Sequence, residues 1–135
     1  MATKTFDAET INLSEVLEFI DSILEENDCP MKTQLQIDVA AEEIFVNVAH
    51  YAYKPDIGPV EVRIEISGEP KSASIAFIDS GKPYNPLEMP DPDINIPIEE
   101  RQEGGLGIFM VKKSMDDVSY EFVNGQNQLT IKKNI

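Results

Sequence analysis

The chain has 135 residues, 41% of them apolar and 27% charged, which suits one soluble domain around a single core. Its formal net charge of -14 argues against nucleic acid or an anionic membrane as a partner, because both require a basic face. A single cysteine, Cys29, excludes an internal disulfide, so the core must hold the fold.

Residues 3–8 read as a short edge strand. Asn12-Leu13-Ser14-Glu15 places Asn at a helix cap and Glu three residues later. Val16, Leu17, Ile20, Ile23 and Leu24 then recur at helical spacing, and this helix is expected to end near Asn27-Asp28. Pro30 opens a second helix, where its missing N–H costs nothing. Cys29 just before it reads as a small residue at a helix start, not a reactive thiol. Leu35, Ile37, Ala40, Ala41, Ile44 and Val48 supply the apolar face of this helix, which is expected to run to about Tyr53 and stop before Pro55.

Val60, Val62, Ile64 and Ile66 alternate with Glu61, Arg63 and Glu65, the pattern of a half-buried strand. Ser67 to Pro70 is a turn, and residues 72–78 form the next strand, which delivers Asp79 at its end. Five of the nine prolines lie between Pro83 and Pro97, so a long irregular loop follows. Gly104 to Gly107 closes it and starts a helix containing Ile108, Met110, Val111 and Met115. Val118, Tyr120 and Phe122 alternate, Asn124-Gly125 turns a hairpin, and Leu129 and Ile131 return. The order predicts one α+β domain over residues 1–135. It is a two-layer sandwich with helices on one face of a mainly antiparallel mixed sheet. No leader segment and no run of membrane-spanning length is visible, so a cytoplasmic protein is expected.

Three short runs carry chemistry. Glu43 and Asn47 are four apart, so both lie on one face of the second helix, beside its apolar stripe. A carboxamide oxygen is a hard ligand suited to Mg2+, and a carboxylate one turn away can take a proton from an attacking hydroxyl. Asp79 at a strand end can accept a hydrogen bond from an exocyclic amine, favouring adenine over guanine by about 1–3 kcal/mol. Gly81 lets backbone approach a flat base. Gly104-Gly105-Leu106-Gly107 starts a helix whose N–H groups can cradle phosphates. Taken singly, the first two read sooner as a solvated Glu with a helix-interior Asn and an ordinary Asp-Ser-Gly turn, and the third reads as well as a loop hinge. Taken together, they read as a Mg-ATP site. In so acidic a chain, Mg2+, backbone N–H groups and local cations must offset the nucleotide's charge.

These boxes resemble the histidine-kinase-like ATPase superfamily, the Bergerat ATP-binding fold, and within it the bacterial anti-sigma factor serine/threonine kinases. The resemblance covers roughly residues 10–133 and includes Asp79 to Pro86, Gly104 to Gly107 and the Met115 to Tyr120 run. It implies Glu43 as catalytic base and Asn47 as magnesium ligand. It further implies nucleotide contacts from Asp79, Gly81, Tyr84, Gly104, Gly105, Leu106 and Gly107, with Arg101 as a candidate phosphate contact. The loop of about 87–103 would be the ATP lid. Two departures stand out: Tyr51 occupies the usual His position, with His50 one residue early, and Arg101 lies further from the glycines than is usual.

The resemblance implies ATP and Mg2+ as cofactors and a kinase acting on a small anti-anti-sigma antagonist. That kinase would also hold a sigma factor, and a homodimer is compatible with it. A nucleotide-dependent protein-binding switch without transfer is the alternative. The catalytic half of a two-component histidine kinase ranks lower, since these residues leave no room for a phosphoacceptor hairpin.

Overall fold

The computed structural model describes residues 1–88 and 105–135, with residues 105 and 106 described by backbone alone. Five strands, β1 (Ala2–Asp7), β2 (Pro59–Ser67), β3 (Ser72–Asp79), β4 (Asp117–Val123) and β5 (Gln126–Asn134), form one sheet in the order β1-β2-β3-β5-β4. Every pairing among them is antiparallel. Three helices, α1 (Leu13–Glu26), α2 (Met31–Tyr51) and α3 (Gly105–Ser114), pack with one face of this sheet.

The alternation in β2 decides which face is covered. Val60, Val62 and Ile64 are buried, while Arg63 and Glu65 face solvent. Ile75 and Phe77 of β3 and Leu129 and Ile131 of β5 continue the same apolar layer. Val16, Ile20 and Leu24 of α1 meet it from the helical side, with Ile37, Ala40, Ala41, Ile44 and Phe45 of α2. The β4–β5 hairpin turns through Asn124 and Gly125, both at positive φ (54° and 76°), as a tight two-residue turn requires.

Two local expectations change. Asn12 stands at the start of α1 but makes no cap bond there; its Nδ2 donates to the Asp7 carbonyl at 2.9 Å, tying the helix start to β1. Leu35 does not join the core face of α2. It is 56% exposed, and Phe45 fills the core from the same helix instead.

Between α1 and α2, the carboxyls of Asp38 and Asp21 stand together, each with a buried Oδ1. Burial, a shared proton with Asp21, and the Asp21 and Glu25 charges push Asp38 up to about 8. Burial, followed by the Asp38 and Asp21 charges, also raises the Cys29 thiol, which fits an inert cysteine. A carboxyl raised above its unfolded pKa stabilises the fold fully below that unfolded value. The contribution is lost as pH rises through the folded one. Thermal stability is therefore expected to fall between about pH 4 and pH 8, and Asp38→Asn should flatten that slope and raise Tm at pH 8.5. Equal pH slopes for the two proteins would contradict the shared proton.

Candidate functional site

The inward-facing row of β3 ends in a polar residue. Ile75 and Phe77 are followed at the same parity by Asp79, which is 5% exposed. Directly opposite on β5 stands Asn127, also inward and 6% exposed. The sheet's apolar face thus closes at one end with a buried carboxylate–carboxamide pair. Nδ2 of Asn127 donates to Asp79 Oδ1 at 2.9 Å and to the Lys82 carbonyl at 2.8 Å. Its Oδ1 accepts from the Tyr84 N–H at 3.1 Å and from the Tyr120 hydroxyl. One side chain therefore ties together β3, β4 and the Ser80 to Tyr84 turn.

Asp79 Oδ1 also accepts the Gly81 N–H at 2.9 Å. Among the described residues no hydrogen bond reaches Oδ2. Asp79 lines a pocket whose walls include Asn47, Ile44 and Val48 of α2, Phe77 and Leu129 of the sheet, and Pro86. Tyr51 and Tyr84 stand at its rim, each more than 40% exposed, with ring centroids 6.2 Å apart. Burial and then the neighbouring Tyr51 raise the Tyr84 phenol above its ordinary range, so it stays a neutral ring. Lys82 is a cation on the same lining. A buried acceptor with a spare oxygen, beneath apolar walls and two rings, suits a flat heteroaromatic group that donates an exocyclic N–H.

The turn after Asp79 is docked on the end of α2. The Lys82 N–H donates to the Ala52 carbonyl at 3.0 Å. The Tyr53 hydroxyl accepts the Ser80 N–H at 2.8 Å and donates to the Pro59 carbonyl at 2.6 Å. Gly81 sits so close to Ala52 that a methyl group there would overlap its backbone carbonyl. The close approach this glycine permits in the structure is thus to the helix end. Because backbone cannot swing aside as a side chain can, Gly81→Ala is expected to cost about 1–3 kcal/mol. A lowered Tm, with Asp79-dependent ligand binding weakened in parallel, would be the reading; an unchanged Tm would refute the contact.

Glu43 is half-buried one turn before Asn47. It does not line the pocket. Its carboxylate lies against Gly107 of α3, where a methyl group would overlap it. The first and third runs therefore meet through this contact, while the first and second meet through Asn47 and Asp79 in the pocket wall. Gly105 and Leu106 lie in the first turn of α3. Arg101, Gly104 and the lid of about 87–103, apart from Leu87 and Glu88, fall outside the described residues. Asn127, Tyr120 and Lys82 belong to the site but were not singled out from the sequence. The available signal for Asn127 was its parity with Leu129 and Ile131, which puts a polar residue at an inward strand position.

Antiparallel sheet, helical layer and this site together define a class. The chain matches the family described as the histidine kinase-like ATPase domain over residues 6–133, and it belongs to that family. It is similar to the serine-protein kinase RsbW of Bacillus cereus (strain G9842), with 29% identity over 101 residues, covering 70% of this chain and 60% of that protein. RsbW of Bacillus mycoides matches to the same extent. It is also similar to the serine/threonine-protein kinase BtrW of Bordetella bronchiseptica, 22% identical over 138 aligned positions that cover 97% of this chain and 94% of that protein. The chain spans about 60% of the length of the RsbW relatives it matches. No helix among the described residues is long and apolar enough to cross a membrane.

Proposed function

We propose that the chain binds an adenine nucleotide with Mg2+ and acts as a serine/threonine protein kinase on a small antagonist protein, as part of an anti-sigma switch. The observation that carries the nucleotide reading is the Asp79–Asn127 pair at the pocket floor, which leaves a buried acceptor for one exocyclic amine. In this reading Asp79 accepts from the base, Tyr51 and Tyr84 flank it, and the Asn47 amide holds Mg2+. The N–H groups at the start of α3 face the phosphates, aided by Arg101 and the glycines from Gly104 on. Bound Mg-ATP would supply the transferable phosphoryl group. The chain's own residues orient it, exclude water from the base, and hold a proton acceptor at Glu43. Partner identity rests on the family: the relatives are protein kinases by name. A sigma factor, an anti-anti-sigma antagonist and a cytoplasmic setting follow from that resemblance.

A second reading is a nucleotide-dependent protein-binding switch without transfer. It draws on the position of Glu43, whose carboxylate rests on α3 outside the pocket lining.

Calorimetry tests the shared part of both readings. ATP and ADP with Mg2+ are expected to bind, and GTP to bind at least tenfold more weakly, the size of one unpaired buried acceptor. Asp79→Asn should weaken binding at the base. Asn47→Ala should remove chiefly the Mg2+-dependent part. Equal affinity for GTP, or no binding at all, sinks both readings.

A further inference from the structure

An apolar groove of about 640 Å3 runs between α2 and α3, away from the pocket. Met31, Leu35 and Val39 line one side and Met110 the other, at 67%, 56%, 56% and 51% exposure. Large side chains left this bare and contiguous mark a contact surface in a soluble domain. We propose that the groove seats an amphipathic helix of the protein substrate, one that carries acidic residues beside its apolar face. This deepens the kinase reading and rests on it for the occupant's being the substrate and for the role of Glu43.

Three observations select that occupant. Met31, Leu35 and Val39 recur every four residues, so they span about 12 Å of α2, or two turns of a partner helix. The next step in the same series is Glu43, and Asn47 follows it. Val39 at the end of the groove is therefore one helical turn, and about 40° around α2, from the carboxylate that touches Gly107. A helix lying in it places its following turn beside Glu43. The second observation is charge. The chain carries -14 overall, yet Lys32 lines the groove and Lys113 sits one helical turn from Met110, its Nζ 5.4 Å from the Phe109 ring. With Lys32 on one side and the basic last turn of α3 on the other, an acidic flank on the partner finds complementary charge here. A second copy of this chain would instead bring one -14 surface against another. The third is shape. The row Met31, Leu35 and Val39 on α2, faced across a trough by Met110 and Ser114 of α3, accepts a helix with anchors at i, i+4 and i+7.

The test uses the full chain and three lactam-stapled helical peptides of the same length. One carries leucines at those three anchor positions with glutamate flanks, one the same leucines with lysine flanks, and one serines at the anchor positions with glutamate flanks. Fluorescence anisotropy is expected to show the tightest saturable binding for the first, with the lysine-flanked peptide at least tenfold weaker and no saturable binding of the serine peptide. Leu35→Glu and Val39→Glu should each weaken it tenfold or more and leave ADP affinity within twofold. Leu35→Ala and Val39→Ala are milder variants that should weaken it in the same direction with unchanged circular dichroism. Equal binding of the glutamate- and lysine-flanked peptides, no saturable binding, or indifference to all four substitutions overturns the proposal. So does a dimer in sedimentation that Val39→Glu splits, in the absence of peptide binding, because the groove then belongs to a second copy. Loss of ADP binding with peptide binding intact would sink the nucleotide reading and leave the groove standing.

Discussion

Glu43→Ala is expected to slow phosphoryl transfer to a bound protein partner by roughly 10²–10⁴-fold, the usual contribution of a general base, while ADP affinity stays within about twofold. The reason is positional. Asn47 and Asp79 line the pocket proposed for the nucleotide, and Glu43 does not. Its carboxylate lies one turn away against the Gly107 backbone, where it can meet an incoming hydroxyl without touching the base. Single-turnover transfer of labelled phosphate, measured beside nucleotide titration, separates the two effects. Glu43→Gln keeps the shape against Gly107 but not the basicity, so it should lose transfer equally. If Glu43→Ala loses nucleotide binding, the residue organises the metal site and the base is elsewhere. If wild type binds its partner and transfers nothing, the switch reading takes the place of the kinase.

The second large effect is expected from a residue with no catalytic chemistry. Asn127→Ala removes two donated and two accepted hydrogen bonds at once. Asp79 loses one of its two donors, the Lys82 carbonyl loses its partner, and the Tyr84 N–H and Tyr120 hydroxyl lose their acceptor. A buried group left unpaired costs about 1–3 kcal/mol, and water entering the vacated space offsets part of the sum. A net loss of about 2–4 kcal/mol follows, or roughly 10 °C in Tm for a domain of this size. Adenine nucleotide affinity should fall at least tenfold, because Asp79 is then held by the Gly81 N–H alone. Asn127→Asp is a sharper probe. It keeps the size but sets a second carboxylate against Asp79, so the two resist ionising together. Its stability should recover as pH falls. A Tm equal to wild type for either variant would show that the Asp79 turn is held without Asn127.

Much of the architecture was legible because it depends on local signals. The alternation of Val60, Val62 and Ile64, the 3.6-residue recurrence in α1 and the Asn124-Gly125 turn each specify an element from its own residues. The resulting order of elements left few packings besides helices on one face of a sheet. Asp79, Asn47 and the glycine run could also be picked out, since each is chemically conspicuous where it stands. Leu35 was misplaced for a related reason. An apolar residue four from its neighbours fits a core stripe by periodicity, but only a partner helix decides which side of the stripe is covered. Here an unfilled groove separates Leu35 from α3 and leaves it exposed.

By itself, then, the sequence determined the strands, the helices and the residues capable of the chemistry, because those follow from side chains a few positions apart. What only the tertiary structure decided is how they meet. Asn127 becomes the clamp on Asp79 because β5 lies antiparallel beside β3 in one register, a pairing of residues 48 apart. A shift of one residue would have turned Asn127 to the opposite face of the sheet. Likewise Gly107 meets Glu43 because α3 docks on α2. Burial in a shared core sets that contact, and no local pattern in either segment encodes it.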